Sequence, residues 1–141
     1  MPTEVVSQAE AHSVEKVEII EEKVPWTFET LVPYLAVKHG QNEALARSII
    51  HCESHTDRNA VGSNYHDEVR YDEEGEPYTV KVIWSQDHGY WQINDYYNEA
   101  SARARGFDIY VWEENLEWGF IMLKENGVGP WSASEYCWSP V

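Results

Sequence analysis

No apolar run in this chain reaches the roughly 20 residues that a membrane-crossing helix needs, and no apolar secretory segment follows Met1. Cations are scarce as well. Ten Lys and Arg stand against 25 Asp and Glu, for a formal charge of −15. Phosphate backbones are bound through basic faces, so this balance argues against a nucleic-acid partner. The chain has no Gly-rich phosphate loop, no Ser/His/Asp nucleophile arrangement and no Asp-x-Asp-x-Asp-Gly calcium loop. His51 and His55 lie one helical turn apart, but the His-Glu-x-x-His order of a zinc protease is missing. Neither a metal nor another cofactor is therefore expected. Cysteine is limited to Cys52 and Cys137. Composition leaves them as either a bonded pair closing a long loop or two buried thiols.

What remains is an aromatic-rich, acidic chain of 141 residues, the size of one domain with a real core. Seven Trp and nine Tyr exceed what a small core requires. At least half of the Trp are expected inside, and exposed aromatics are the usual platforms for sugar rings or partner surfaces. Acid is concentrated at Asp67, Glu68, Asp72, Glu73, Glu74 and Glu76, with Arg70 the one cation among them. Such a run reads as a solvated loop, and a basic protein partner or a high-salt habitat would be its natural complement.

Residues 1–25 read as a flexible, Glu-rich tail, with alternation over residues 14–20 that suits an edge strand. Pro25-Trp26 marks the entry to folded structure. A first helix is predicted over residues 27–39, stopped by Gly40, with Pro33 implying a late start or a kink. A second follows Asn42 as N-cap, with Leu45, Ala46, Ile49 and Ile50 as its buried stripe and Glu53 near its C-terminal end. There the helix dipole and the apolar neighbours both disfavour a charged carboxylate. Residues 67–71 and 78–84 alternate as two strands around an acidic hairpin tip. Helices return over residues 95–105, capped by Asn94 or Asp95, and over residues 113–126, with Leu116, Phe120 and Leu123 inward. Gly119 inside the last helix implies close packing or ligand approach. The order helix–helix–hairpin–helix–helix makes this an α+β domain over residues 26–141 with a small sheet lobe.

Two carboxylates stand out. Glu53 ends an apolar helix in the run His51-Cys52-Glu53-Ser54, and Asp87 opens the run Asp87-His88-Gly89-Tyr90-Trp91-Gln92-Ile93-Asn94. Carboxyls drawn from such different surroundings can be set to different pKa values, as acid-assisted glycosidic cleavage requires. His88 reads either as a tuner of Asp87 or as a turn residue. With Asn59-Ala60-Val61 between these runs, the sequence resembles the lysozyme-like superfamily, and most closely the lytic transglycosylases of the soluble-lytic type. Glu53-Ser54 resembles their catalytic Glu-Ser, and Gly89-Tyr90-Trp91-Gln92 their Gly-hydrophobic-hydrophobic-Gln segment. Asn115-Leu116, Gly119 and Leu123 resemble their later helix. Pro130-Trp131-Ser132-Ala133-Ser134 with Cys137-Trp138 resembles the close of bacterial and phage members that carry a cysteine before the catalytic Glu. Tyr90-Trp91 departs from the family's smaller pair, and Asp87 falls where animal-type lysozymes carry their second carboxylate.

The resemblance implies a mainly helical lobe and a small β-hairpin lobe with an active-site groove between them. It implies cleavage of the β-1,4 bond between N-acetylmuramic acid and N-acetylglucosamine in peptidoglycan glycan strands, by a monomer. Glu53 would be the acid and base of a lytic transglycosylase leaving 1,6-anhydromuramic ends. Alternatively Glu53 and Asp87, about 5–5.5 Å apart, would act as a retaining lysozyme. A non-catalytic glycan- or partner-binding module is the third reading, against which the intact Glu53 counts. Ser54 and Gln92 would orient Glu53 or the N-acetyl groups, while Gly89, Tyr90, Trp91, Asn115 and Trp131 would line the groove. A wall enzyme works outside the cytoplasm, in the cell envelope or on a phage virion, and there Cys52 and Cys137 are expected to join.

Overall fold

A computed structural model describes residues 23–140 and the backbone of residues 4–5 and 15–16. Most of the tail expected over residues 1–25 lies outside the described residues. Two described pieces within it, β1 (Glu4–Val5) and β2 (Glu15–Lys16), pair antiparallel with each other. Among the described residues the rest of the chain forms five α-helices and a three-stranded antiparallel sheet.

The first two helices are defined by their local signals. Thr27 caps α1 (Phe28–His39): its hydroxyl accepts from the Thr30 N–H at 3.2 Å while the Thr30 hydroxyl accepts from the Thr27 N–H at 3.0 Å. The helix runs through Pro33 rather than starting there, so of the late start or kink expected at this proline the late start does not occur. Proline's missing N–H costs one bond in the second turn, and the buried Leu31, Val32, Leu35 and Ala36 outweigh it. Gly40, at φ 64°, ends the helix in the left-handed conformation that glycine adopts without strain. Asn42 caps α2 (Glu43–Ser54) by accepting from the Leu45 N–H at 2.9 Å, and Ala46, Ile49 and Ile50 are buried.

The hairpin is longer than its alternation suggested. Strand β3 (Val61–Tyr71) pairs with β4 (Pro77–His88) along its whole length. Asn64 faces Ser85 while Tyr65 faces Ile83, so Trp84 is the extra residue of a β-bulge. The tip turns on Asp72, whose Oδ1 accepts from the Glu74 and Glu76 N–H groups at 3.0 and 2.8 Å. At the other end β5 (Ile93–Asn94) pairs with Asp87 and His88, so Asp87 sits on a three-stranded patch rather than on a loop.

The core centres on α4 (Trp112–Asn126), which is buried on every side from Trp118 to Leu123. Into it inserts Trp91, fully buried, whose indole N–H donates to the Leu116 carbonyl at 3.0 Å and whose ring meets Phe120 edge-on. Gly119 provides the room: a Cβ there would stand 2.1 Å from the Trp91 ring. Of the two explanations for this glycine, close packing is the one observed. A flat ring cannot yield as a flexible side chain does. Gly119→Ala should therefore cost at least the 1–3 kcal/mol typical of overpacking, read from urea unfolding. A change below about 0.5 kcal/mol would mean that the ring relaxes and the fit is loose.

Helix α3 (Asp95–Ala104) starts at Asn94, whose Oδ1 accepts from the Tyr97 N–H at 3.2 Å. After α4, Gly129–Ser134 forms a 3-10 turn and Glu135–Trp138 the four-residue helix α5. Cys137 of α5 is bonded to Cys52 of α2, so the two cysteines are a pair and not two buried thiols. Closing a loop across 85 residues contributes about 2–4 kcal/mol. Among the described residues no helix is long and apolar enough to cross a membrane. Trp91, Trp118 and Trp131 belong to the core, Trp112 and Trp138 pack against it, and Trp26 and Trp84 are exposed.

Candidate active site

Glu53, from the last turn of α2, and Asp87, from β4, open onto the same cleft of about 450 Å³. Gln92, Ile93 and Asn94 form one side. Tyr97 and Asn98 of α3, Met122 and Asn126 of α4, and Pro130, Trp131 and Ala133 of the 3-10 turn complete it. Among these lining residues Glu53 and Asp87 are the ones that carry charge, so the cleft is a largely neutral trough holding two carboxyls.

Their surroundings differ. The Ser134 hydroxyl donates to Glu53 Oε1 at 2.8 Å. Burial pushes the Glu53 carboxyl above its ordinary value of 4.5, the Ser134 bond pulls it down, and the negative charge of Asp87 pushes it up again. Asp87 is gripped by two amides. Asn64 Nδ2 donates to its Oδ2 at 3.1 Å and Asn94 Nδ2 to its Oδ1 at 3.0 Å. The same two amides donate to the buried Ser85 hydroxyl, each at 3.0 Å. Side chains from β3, β4 and β5 thus fix the orientation of Asp87, which is why the third strand matters. His88 does not face Asp87; its ring pairs with Asp95 at 3.2 Å.

Five residues expected at the groove lie outside its lining. Ser54 is buried at 6% exposure and donates to the Ile50 and Tyr90 carbonyls at 3.0 and 2.8 Å, so it ties the end of α2 to the next segment and does not orient Glu53. Tyr90, 6% exposed, packs between Phe28 and Trp112. Trp91 is the centre of the core. Asn115 is 1% exposed, and its amide donates to the His88 and Ile109 carbonyls at 2.8 and 2.9 Å. Gly89, at φ 76°, sits against Asn115, where a Cβ would be 2.6 Å from the amide; it is a packing and turn residue. All five are placed by the need to bury the aromatic run and satisfy the backbone around it.

Gln92 and Trp131 do line the cleft, with part of their chemistry already committed. Gln92 Nε2 donates to the Ala60 and Gly89 carbonyls, each at 3.0 Å, from a backbone held at φ 51°. Its amide braces the turn below Asp87. Trp131 is mostly buried and donates to the Trp91 carbonyl at 2.9 Å. Residue-type reasoning missed Asn64, Asn94 as a partner of Asp87, Tyr97 and Ser134. Asn94 is legible as the cap of α3, but nothing local announces its bond to Asp87, or the contact of Ser134 with Glu53. Directly after the Glu53-Ser54 pair, His55 and Thr56 both adopt left-handed backbone, at φ 53° and 60°. Such strain, of order 1–3 kcal/mol per residue, concentrates at functional sites.

The His51 and His55 rings meet edge-on with centroids 5.4 Å apart. Among the described residues, no group of three or more His, Cys, Asp or Glu converges as a metal site. No family model, curated protein or solved structure matches the chain. The site therefore rests on its own geometry: an α+β domain with a half-buried glutamate and an amide-held aspartate in one open cleft.

Proposed function

We propose that this chain cleaves the β-1,4 bond between N-acetylmuramic acid and N-acetylglucosamine in peptidoglycan, in a lysozyme-like fold and with Glu53 as proton donor. One observation carries the reading: Glu53 and Asp87 share a cleft, and burial there raises the Glu53 carboxyl above its ordinary value. A carboxyl that keeps its proton nearer to neutral pH can deliver it to a leaving glycosidic oxygen. As that C1–O bond breaks, positive charge develops on the sugar, and an aspartate facing it stabilises that charge.

The Glu53-Ser54 and Gly89 to Gln92 pattern favours a lytic transglycosylase. There the Glu53 carboxylate takes the proton of the muramyl 6-hydroxyl, whose oxygen bonds to C1, and no water is consumed. A second reading is the retaining hydrolase, favoured by the two amides that hold Asp87 in one orientation. The disulfide suits a protein that matures where thiols oxidise, and extracellular or envelope action belongs to this proposal.

Digestion of purified peptidoglycan with mass spectrometry of the released muropeptides separates the readings. For a transglycosylase, Asp87→Asn should retain products ending in 1,6-anhydromuramic acid, at a rate lowered through lost charge stabilisation. Reducing-end products that vanish with Asp87→Asn would make it a hydrolase. No soluble product from the unaltered chain would remove the enzyme altogether and leave a binding module.

A further inference from the structure

The last folded segment of the chain meets Glu53 at a point no motif announces. Ser134 closes the 3-10 turn, and its Oγ stands between three partners: Glu53 Oε1 at 2.8 Å, the Trp131 carbonyl at 3.1 Å and the Trp138 indole N–H at 3.1 Å. The indole donates, which occupies one lone pair of the hydroxyl. The single hydroxyl hydrogen then has two acceptors to choose from. With Glu53 ionised it points to Oε1, forming the stronger, charge-assisted bond. With Glu53 protonated it turns to the Trp131 carbonyl, and Oγ accepts the carboxyl hydrogen through its second lone pair. Both protonation states of Glu53 are thus satisfied by one hydroxyl, without moving the backbone.

What holds Ser134 in place is equally specific. Helix α5 has four residues, no side-chain cap and no buried residue, so it cannot stand as an independent helix. Its attachments include the Trp138 ring, which packs against the core and whose N–H also donates to the Trp131 carbonyl at 3.1 Å, and the Cys52–Cys137 bond. Cys52 is the chain neighbour of Glu53, and Cys137 lies one helical turn beyond Ser134. The covalent link therefore joins the two segments whose side chains meet.

We propose that Ser134 is the positioning residue of Glu53, and that the Cys52–Cys137 disulfide delivers it, so that the presentation of the carboxyl depends on the redox state of that bond. The inference rests on the proposed acid/base role of Glu53 for its functional meaning. The contact itself is independent of that role. Asp87 of β4 is the charged group facing Glu53 across the cleft; α4 presents Met122 and Asn126 there, and Glu135 of α5 lines a separate outward hollow with Ser132 and Tyr136. His51 and His55 flank Glu53 along its own segment.

The test is a carboxyl NMR titration of the full chain, 13C-labelled at glutamate, with the Glu53 signal assigned through Glu53→Gln. Ser134→Ala should shift the Glu53 midpoint upward, because a bond that favours the charged form is gone. Ser134→Thr should return it toward the original position. Reducing the disulfide should shift it in the same direction as Ser134→Ala and add little in that variant. The Trp91 indole signal reports whether the core persists in each sample. An unchanged midpoint in Ser134→Ala would overturn the positioning role. Reduction that leaves the midpoint unmoved, or that unfolds the core, would overturn the redox half, since the bond would then be idle or a general staple. No substrate enters the titration, so a chain inert on peptidoglycan would defeat the proposed function without touching this result.

Discussion

Glu53→Gln is expected to lower glycan cleavage by roughly 10²–10⁴-fold, the usual contribution of a positioned general acid, and at the same time to make the fold more stable near neutral pH. Both effects have one cause. Glutamine is close to isosteric and its amide oxygen still accepts from Ser134, so the cleft keeps its shape. It cannot donate an acidic proton, and it carries no charge to desolvate. The folded-state pKa of Glu53 is raised, chiefly by burial. The folded chain therefore holds a proton that the unfolded chain has released, and stability falls as pH rises from the ordinary value of 4.5 through the raised one. Above that window the charged Glu53 is a full burden on the fold, and the variant is relieved of it. Well below 4.5 both forms are neutral and the difference closes. Thermal unfolding of the two proteins near neutral pH and in acid measures this directly. A variant less stable than the parent at neutral pH would show that Glu53 is a structural carboxylate and not one held at a cost for chemistry.

Trp91→Ala is the second large effect, about 3–5 kcal/mol of stability, the range for truncating a buried tryptophan. A domain of this size has roughly 5–15 kcal/mol in all, so the variant should be marginal or unfolded at body temperature. Three losses add up. The ring leaves a cavity against Phe120 and Trp131, the Leu116 carbonyl loses its indole donor, and Gly119 faces empty space instead of an aromatic face. Trp131 also lines the cleft, so the damage should reach activity in whatever fraction remains folded. Urea unfolding gives the number, and a loss below about 1 kcal/mol would remove Trp91 from the centre of the core. A double variant sharpens the point. Gly119→Ala, costly alone, should be nearly neutral beside Trp91→Ala, because the clash needs both partners.

Short-range physics made much of this protein legible before any coordinates. Asn42 and Gly40 mark helix ends because capping and left-handed backbone are decided within four residues. The stripe of Ala46, Ile49 and Ile50 followed from a 3.6-residue period, and the acidic hairpin tip from alternation and Gly75-Glu76-Pro77. Glu53 and Asp87 were visible as candidates because the first ends an apolar helix and the second opens an aromatic and amide run. What each aromatic does was not legible. Tyr90 and Trp91 suit a groove floor and a core equally well, and Trp91 goes inward because Gly119, 28 positions later, leaves it a slot.

Four of the helices, the hairpin and the two carboxyls were thus readable from neighbours along the chain, while the full length of the hairpin, β5 and α5 were not. What surrounds those carboxyls comes from segments far apart in the chain. Asn64 and Asn94 meet at Asp87 because β3 and β5 flank β4, and Ser134 meets Glu53 where the end of the chain is bonded back to α2. The pKa of a buried carboxyl is set by such long-range contacts, through desolvation and hydrogen bonds from groups distant in the chain. That is why the two carboxyls were readable in the sequence and their surroundings were not.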